Sequence, residues 1–234
     1  MGSHQPGVGY GAIIDQLLKN NGDKTMELFK LTDQNNKTRV GYSNETVWGA
    51  GVTRTVTKEG TELCTDQVIH AYSNPYLALL FNPIHADIRN PKLWVADGDV
   101  VVNNNNIKVG CKSLTTIKEI SLPEITLEQR VEFVIRCVKA VFDDADWNEW
   151  ADAWLDGTDR TQESAARAAA KKETGAWKII ETDARGAARL AARIETELAE
   201  TSEALTASWI VIAASSLGHD GLLLEVVETV FGSE

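Results

Sequence analysis

The sequence predicts an α+β protein in which a small mixed α/β domain, ending near Pro123, is followed by an all-α, Ala-rich helical bundle. Three observations carry this reading. Up to Pro123, apolar residues alternate in short runs bounded by Gly, Asn and Asp, which is the pattern of strands. Beyond it the apolar spacing becomes helical and stays so. The charge divides at the same place: residues 1–123 hold 12 Lys+Arg and 12 Asp+Glu, whereas residues 124–234 hold 11 and 22, so the net −11 belongs to the second part. The expected organisation is an N-terminal tail and short helix over 1–24, the α/β domain over 25–123 and the acidic bundle over 124–234.

The elements follow in order. Ile13, Ile14, Leu17 and Leu18 share one helical face, and Asn20-Asn21-Gly22 stops it. From Thr25 the period changes: Met26, Leu28 and Lys30 alternate with Glu27, Phe29 and Leu31, and Asp33 to Asn36 turns the chain. Further strands are expected at Val52–Thr57, Val68–Tyr72, Lys92–Ala96, Val100–Val102 and Ile107–Lys112, with Asp97-Gly98 and Asn103–Asn106 separating the last three. Pro75–Phe81 predicts a brief helix, with Asn74 as N-cap and proline in the first turn. In the second part, Thr126 and Gln129 form a capping box ahead of the stripe Val131, Val134, Ile135, Val138 and Val141/Phe142. Ala145–Leu155 places Trp147, Trp150 and Trp154 on one face, with acid at its start where the helix dipole favours it. Helices over Thr161–Thr174, Trp177–Ala199, Ser202–Leu217 and Gly221–Phe231 complete a bundle of about six, the second of these carrying Arg185, Arg189 and Arg193 outside.

Charge and cysteine usage limit the function classes. A surplus of acid repels phosphate backbones and anionic lipid, so direct nucleic-acid and membrane binding are not expected, and a protein partner with a basic surface is. Cys64, Cys111 and Cys137 are odd in number and lie far apart, which fits a reducing compartment. The start of the chain lacks a secretory pattern, and the apolar run Ala207–Leu217 is shorter than the roughly 20 residues of a membrane span. Four histidines and an acidic run without a calcium-loop glycine give no metal site, and no cofactor is expected.

Two sets of candidate site residues remain. The stretch Leu63–Tyr72 is the densest in reactive side chains: Cys64, Thr65, His70 and Tyr72, with His85 fifteen residues after His70. A Cys/His pair can activate a nucleophile when a third group orients the imidazole; the competing reading makes Cys64 a core thiol beside an apolar strand. Glu149, Asp152, Asp156 and Asp159 recur at steps of three, four and three, which makes a carboxylate ridge on one helical face. Trp48 and Trp94 complete the candidate binding set.

The residues Leu63-Cys64-Thr65, His70-Ala71-Tyr72, Pro75, Asn82-Pro83, Leu93-Trp94, Gly98-Asp99-Val100 and Lys108-Val109-Gly110, followed by Leu122-Pro123 and Gln129-Arg130-Val131, resemble a family of hypothetical proteins of tailed phages and prophages. That likeness covers roughly 26–142 and implies an accessory protein acting in the cytoplasm of a bacterial cell. Residues 126–217 are similar to helical domains of immunity proteins, through Trp154, Ala165-Ala166-Arg167 and Ala187-Ala188. The order of strand, Cys64-Thr65 and Ala-bearing helix from Leu63 to Leu80 resembles ADP-ribosyltransferase-like folds. That resemblance implies a nicotinamide pocket in which Tyr72 or Trp48 stacks and Glu119 assists the transfer. The expected function is therefore non-catalytic binding of a basic protein through the acidic half. The alternatives are a degenerate nucleotide- or NAD-handling enzyme in the α/β domain and a structural subunit that oligomerises.

Overall fold

The computed structural model describes residues 27–104, 107–140, 142–170, 188 and 222–232. The expected opening helix, the two helices over 177–217 with their arginine row, and the part of the 161–174 helix beyond Ala170 lie outside the described residues. Seven strands are described: β1 Leu28–Thr32, β2 Lys37–Thr38, β3 Thr46–Val47, β4 Val52–Thr55, β5 Ile69–Tyr72, β6 Lys92–Asn104 and β7 Lys108–Ile120. The helices are α1 Pro75–His85, α2 Leu127–Lys139, α3 Ala145–Leu155, α4 Gln162–Ala170 and α5 Leu222–Phe231. The chain is thus α+β.

The pairings of the larger sheet close on themselves. β7 pairs with β5, β5 with β1, β1 with β6 and β6 with β7, all antiparallel, while β4 adds to β7 beyond β5. The result is a small barrel built around the long β6–β7 hairpin. Leu28, Trp48, Ala71, Ala96, Val109, Cys111 and Leu114 fill it. Their alternate neighbours Phe29, Leu31, Tyr72, Leu93 and Val95 belong to a second core, shared with the helices.

The expected break at Asp97-Gly98 is absent, because β6 continues from Lys92 to Asn104. Its register against β7 shifts between Val95 and Ala96 and twice more up to Val102, so the strand bends by bulging rather than turning. Gly98 occupies that bend because a Cβ there would stand 2.7 Å from the Ser113 carbonyl oxygen. β7 likewise runs to Ile120, eight residues past its expected end at Lys112, since β4 and β6 flank its second half. β2 and β3 are a two-residue ladder that no periodicity announces.

The helices follow their local signals closely. Asn74 accepts hydrogen bonds from the Tyr76 and Leu77 amides, and α1 runs past Phe81 to His85 with Pro83 inside it. Thr126 and Gln129 exchange both bonds of the capping box. Asp144 caps α3, whose three tryptophans are all buried. Phe231 of α5 stacks on Tyr76 of α1 with centroids 4.5 Å apart and also meets Phe133 of α2. The composition changes at Pro123, but the apolar core crosses it: one cluster contains Tyr72, Leu77, Phe133, Trp154 and Phe231.

Candidate functional site

The barrel and α1 together form a cleft of about 540 Å³, lined by Lys30, Arg39, Tyr42, Cys64, His70, Tyr72, His85 and Lys108 among others. Four of the five reactive candidates read from the sequence therefore meet: Cys64, His70 and Tyr72 from the 63–72 stretch, and His85 from the end of α1. Barrel closure explains why. β5 lies between β1 and β7, so Lys30, His70, Tyr72 and Lys108 come from three neighbouring strands. Thr65 is the exception; its hydroxyl donates to the Glu62 carbonyl and accepts from the Gln67 amide, a local turn.

Cys64 is exposed and not a core thiol, because it sits in the loop before β5 with φ +64°. The chain has five described non-glycine residues at positive φ: Asn36, Arg39, Cys64, Asp87 and Asn90. Asn and Asp tolerate that region, so Arg39 and Cys64 carry the real strain, on the order of 1–2 kcal/mol each. Both line the same cleft, where strained backbone is most often retained for a purpose.

The candidate pair Cys64 and His70 is joined through the Cys64 backbone amide and not through its thiol. His70 Nε2 accepts a hydrogen bond of 2.9 Å from the backbone N–H of Cys64, so its lone pair faces the amide and not the thiol. Burial, then the nearby Lys30, Lys108 and Arg39 charges, lower the His70 pKa to about 3. His85 falls to about 4, by burial and then by Lys108, and its Nδ1 lies 3.0 Å from the Tyr72 hydroxyl. Burial pushes Tyr72 upward. Both imidazoles are neutral at pH 7, and the phenol keeps its proton.

Three cations face these neutral groups. Lys108 is only 6% exposed, and its ammonium donates to Cys64 Sγ at 3.1 Å. Lys30 donates to the His70 carbonyl at 2.6 Å and stands 5.2 Å from the Trp48 ring centroid. Burial, and then Arg39, lower the Lys30 pKa to about 8. Arg39 donates to the Thr65 carbonyl. Among the described residues none of the three pairs with a carboxylate, and no carboxylate lines the cleft. A buried ammonium without a counter-ion is costly, and an acidic protein has carboxylates to spare for it.

The other candidates fare differently. Trp94 is 4% exposed and donates to Thr32 Oγ1, so burial removes it from the binding set. Trp48 is equally buried, with its indole N–H on Thr38, and so is held too tightly to stack on a nicotinamide. Glu119 stands near the opposite end of β7 from Lys108 and is 3.5 Å from Lys92, which takes it out of reach as a catalytic carboxylate. The acidic ridge is largely self-satisfied: Asp152 pairs with Lys139, Asp156 accepts from Thr158, and Asp159 accepts from Thr161 and Ser164. Hydrogen bonds to Thr158 and Thr161 are the main reason the Asp156 and Asp159 pKa values are lowered. Glu149 and Asp159 line a separate hollow of about 420 Å³ beside Trp147, Trp150 and Arg167.

The residues that sequence reasoning missed are Lys30, Arg39, Tyr42 and Lys108. Two left a signal, a lysine inside the apolar runs Leu28-Phe29-Lys30-Leu31 and Ile107-Lys108-Val109. Searches for related proteins match no family model, no curated protein and no solved structure.

Proposed function

We propose that this protein binds a small anionic ligand, phosphate-bearing or carboxylate-bearing, in the cleft between the barrel and α1, without turning it over. The observation that carries the reading is Lys108, a buried ammonium whose hydrogen-bond partner among the described residues is a thiol. Lys30 and Arg39 beside it supply a charge-assisted clamp, and the neutral Tyr72–His85 pair adds uncharged polar groups at one wall. A volume of about 540 Å³ suits a small molecule. Engagement of the His70 lone pair by the Cys64 amide argues against base catalysis at the thiol. The test is calorimetric titration of orthophosphate into the full chain at low salt. Saturable one-to-one binding that is lost in Lys108→Met supports the reading; no heat with the unsubstituted chain contradicts it.

A second reading keeps the acidic helical half as a docking face for a basic protein, supported by the exposure of Glu149, Asp152 and Asp156. In that reading residues 124–234 form a full helical bundle, for which the packing of α2 on α3 and α5 is the support. The phage-type, cytoplasmic setting belongs to the same reading and rests on the residue resemblance. Charge reversal at Asp152 and Asp156 weakens such a complex, and a complex indifferent to both charge reversal and salt argues against it.

A further inference from the structure

Cys64 and Lys108 make an unequal pair. Cys64 is exposed, whereas Lys108 is only 6% exposed. The Lys108 ammonium donates to Cys64 Sγ at 3.1 Å, and among the described residues no other acceptor takes a bond from it. Sulfur is a weak acceptor, so this ammonium is poorly satisfied just where it is least hydrated. The loop holds the two groups together: His70 Nε2 fixes the Cys64 amide at 2.9 Å, and Thr65 closes the turn onto Glu62 and Gln67. The sulfur is thus the solvent-side end of the pair and the ammonium its buried end.

Cysteines that react with oxidants sit in electropositive surroundings within reach of solvent. Cys64 meets both conditions: Lys108 touches its sulfur, Lys30 and Arg39 line the same cleft, and no carboxylate among the described residues lines it. Cys111 in the barrel and Cys137 in the shared core are buried. Neither can attack an oxidised Cys64 in the native chain, so oxidation rests on the one sulfur instead of passing to an internal disulfide. With hydrogen peroxide, the sulfur attacks one peroxide oxygen, the S–O bond forms as the O–O bond breaks, and the leaving hydroxide takes the thiol proton to become water. Sulfur loses two electrons and the peroxide gains them. The new oxygen, bonded to a sulfur already 3.1 Å from Lys108 Nζ, comes within reach of the ammonium and is a better acceptor than the sulfur.

We propose that Cys64 is a modification site for hydrogen peroxide, and that its sulfenic oxygen takes the Lys108 ammonium and so withdraws it from the anion. The second half regulates the cleft and rests on the anion-binding reading; the first half does not. The full reduced chain is treated with hydrogen peroxide and dimedone, which traps sulfenic acids, and the adduct is located by peptide mass spectrometry. A second sample, oxidised without dimedone, is titrated calorimetrically with orthophosphate before and after dithiothreitol. The adduct is expected on Cys64 alone, forming at least about tenfold faster than in Lys108→Met and within about threefold of the unsubstituted rate in Lys108→Arg, which keeps the charge. Orthophosphate affinity should fall at least about tenfold on oxidation and return with dithiothreitol. Absence of an adduct on Cys64, or one that forms equally fast in Lys108→Met, overturns the modification site; its location needs no variant, so a misfolded Lys108→Met leaves the test standing. Affinity that oxidation leaves unchanged overturns the regulation. A reduced chain that binds no orthophosphate overturns the anion-binding reading and the regulation with it, while the adduct still decides the site.

Discussion

Lys30→Met is the substitution whose outcome separates a ligand-binding lysine from a structural one. The ammonium of Lys30 titrates at about 8 instead of 10.5, chiefly because burial penalises its charge. At about 1.4 kcal/mol per pH unit, that drop corresponds to a cost of about 3 kcal/mol at pH 7 as an upper bound. The side chain keeps some contact with solvent, and its loss frees the His70 carbonyl that it bonds, which returns about 1 kcal/mol. Methionine has a similar shape and no charge, so the variant is expected to be more stable by about 1–2 kcal/mol. For a chain of this size that means a Tm higher by about 2–8 °C. The same variant should lose the stabilisation that phosphate gives, since one of the cations lining the cleft is gone. Sign and pH range are fixed by the direction of the shift: the unsubstituted chain gains stability as pH rises from about 8 toward 10.5, because the unfolded chain binds the extra proton there, and the variant lacks that gain. Differential scanning fluorimetry with and without phosphate, at pH 7 and pH 9.5, reads all of this. A variant that melts lower, or that phosphate stabilises as much as before, refutes the reasoning.

Three further predictions test other links. Phe231→Ala removes the ring that joins Tyr76 of α1 to Phe133 of α2, and should cost about 3–5 kcal/mol with barrel and helices still melting in one transition; a barrel that melts separately and unchanged would show that the shared core is unimportant. Cys64 is exposed while Cys111 and Cys137 are buried, so maleimide should label one thiol in the native chain, and saturating phosphate should slow it through Lys108; labelling at Cys111 first would contradict the barrel. Acid should destabilise the fold through His70: its folded pKa of about 3 lies below the ordinary 6.5, so its contribution is present above about 6.5 and is lost as pH falls toward 3, by at most about 1.4 kcal/mol per pH unit. His70→Asn should flatten the denaturation profile between pH 4 and 6.5, and an unchanged slope would deny His70 that role.

The helices were legible because their signals are local. The Thr126–Gln129 box and the tryptophan spacing in 145–155 lie within one or two turns of the elements they specify, and α2 and α3 begin where those residues place them. The barrel was legible only in pieces. Asp97-Gly98 has the composition of a turn, and only the position of Ser113 across the hairpin makes it a bulge. The cleft was half legible for the same reason. Cys64, His70 and Tyr72 cluster in sequence and stay clustered, but the cations that give the cleft its character come from β1, the segment after β2, and β7. Their meeting depends on the ring of pairings from β7 through β5 and β1 to β6. Exposure of Cys64 depends on a left-handed backbone that composition does not encode. The acidic ridge shows the opposite failure: its spacing is real, but Lys139, Thr158, Thr161 and Ser164 occupy three of its four carboxylates.

Location of a bound anion tests the account most directly. Crystals soaked in tungstate, a heavy mimic of phosphate, should give an anomalous peak within hydrogen-bond distance of Lys108 Nζ and Lys30 Nζ, and the peak should vanish in Lys108→Met. Tungstate found only on the outer surface, with the space between those two ammonium groups empty at saturating concentration, would contradict it.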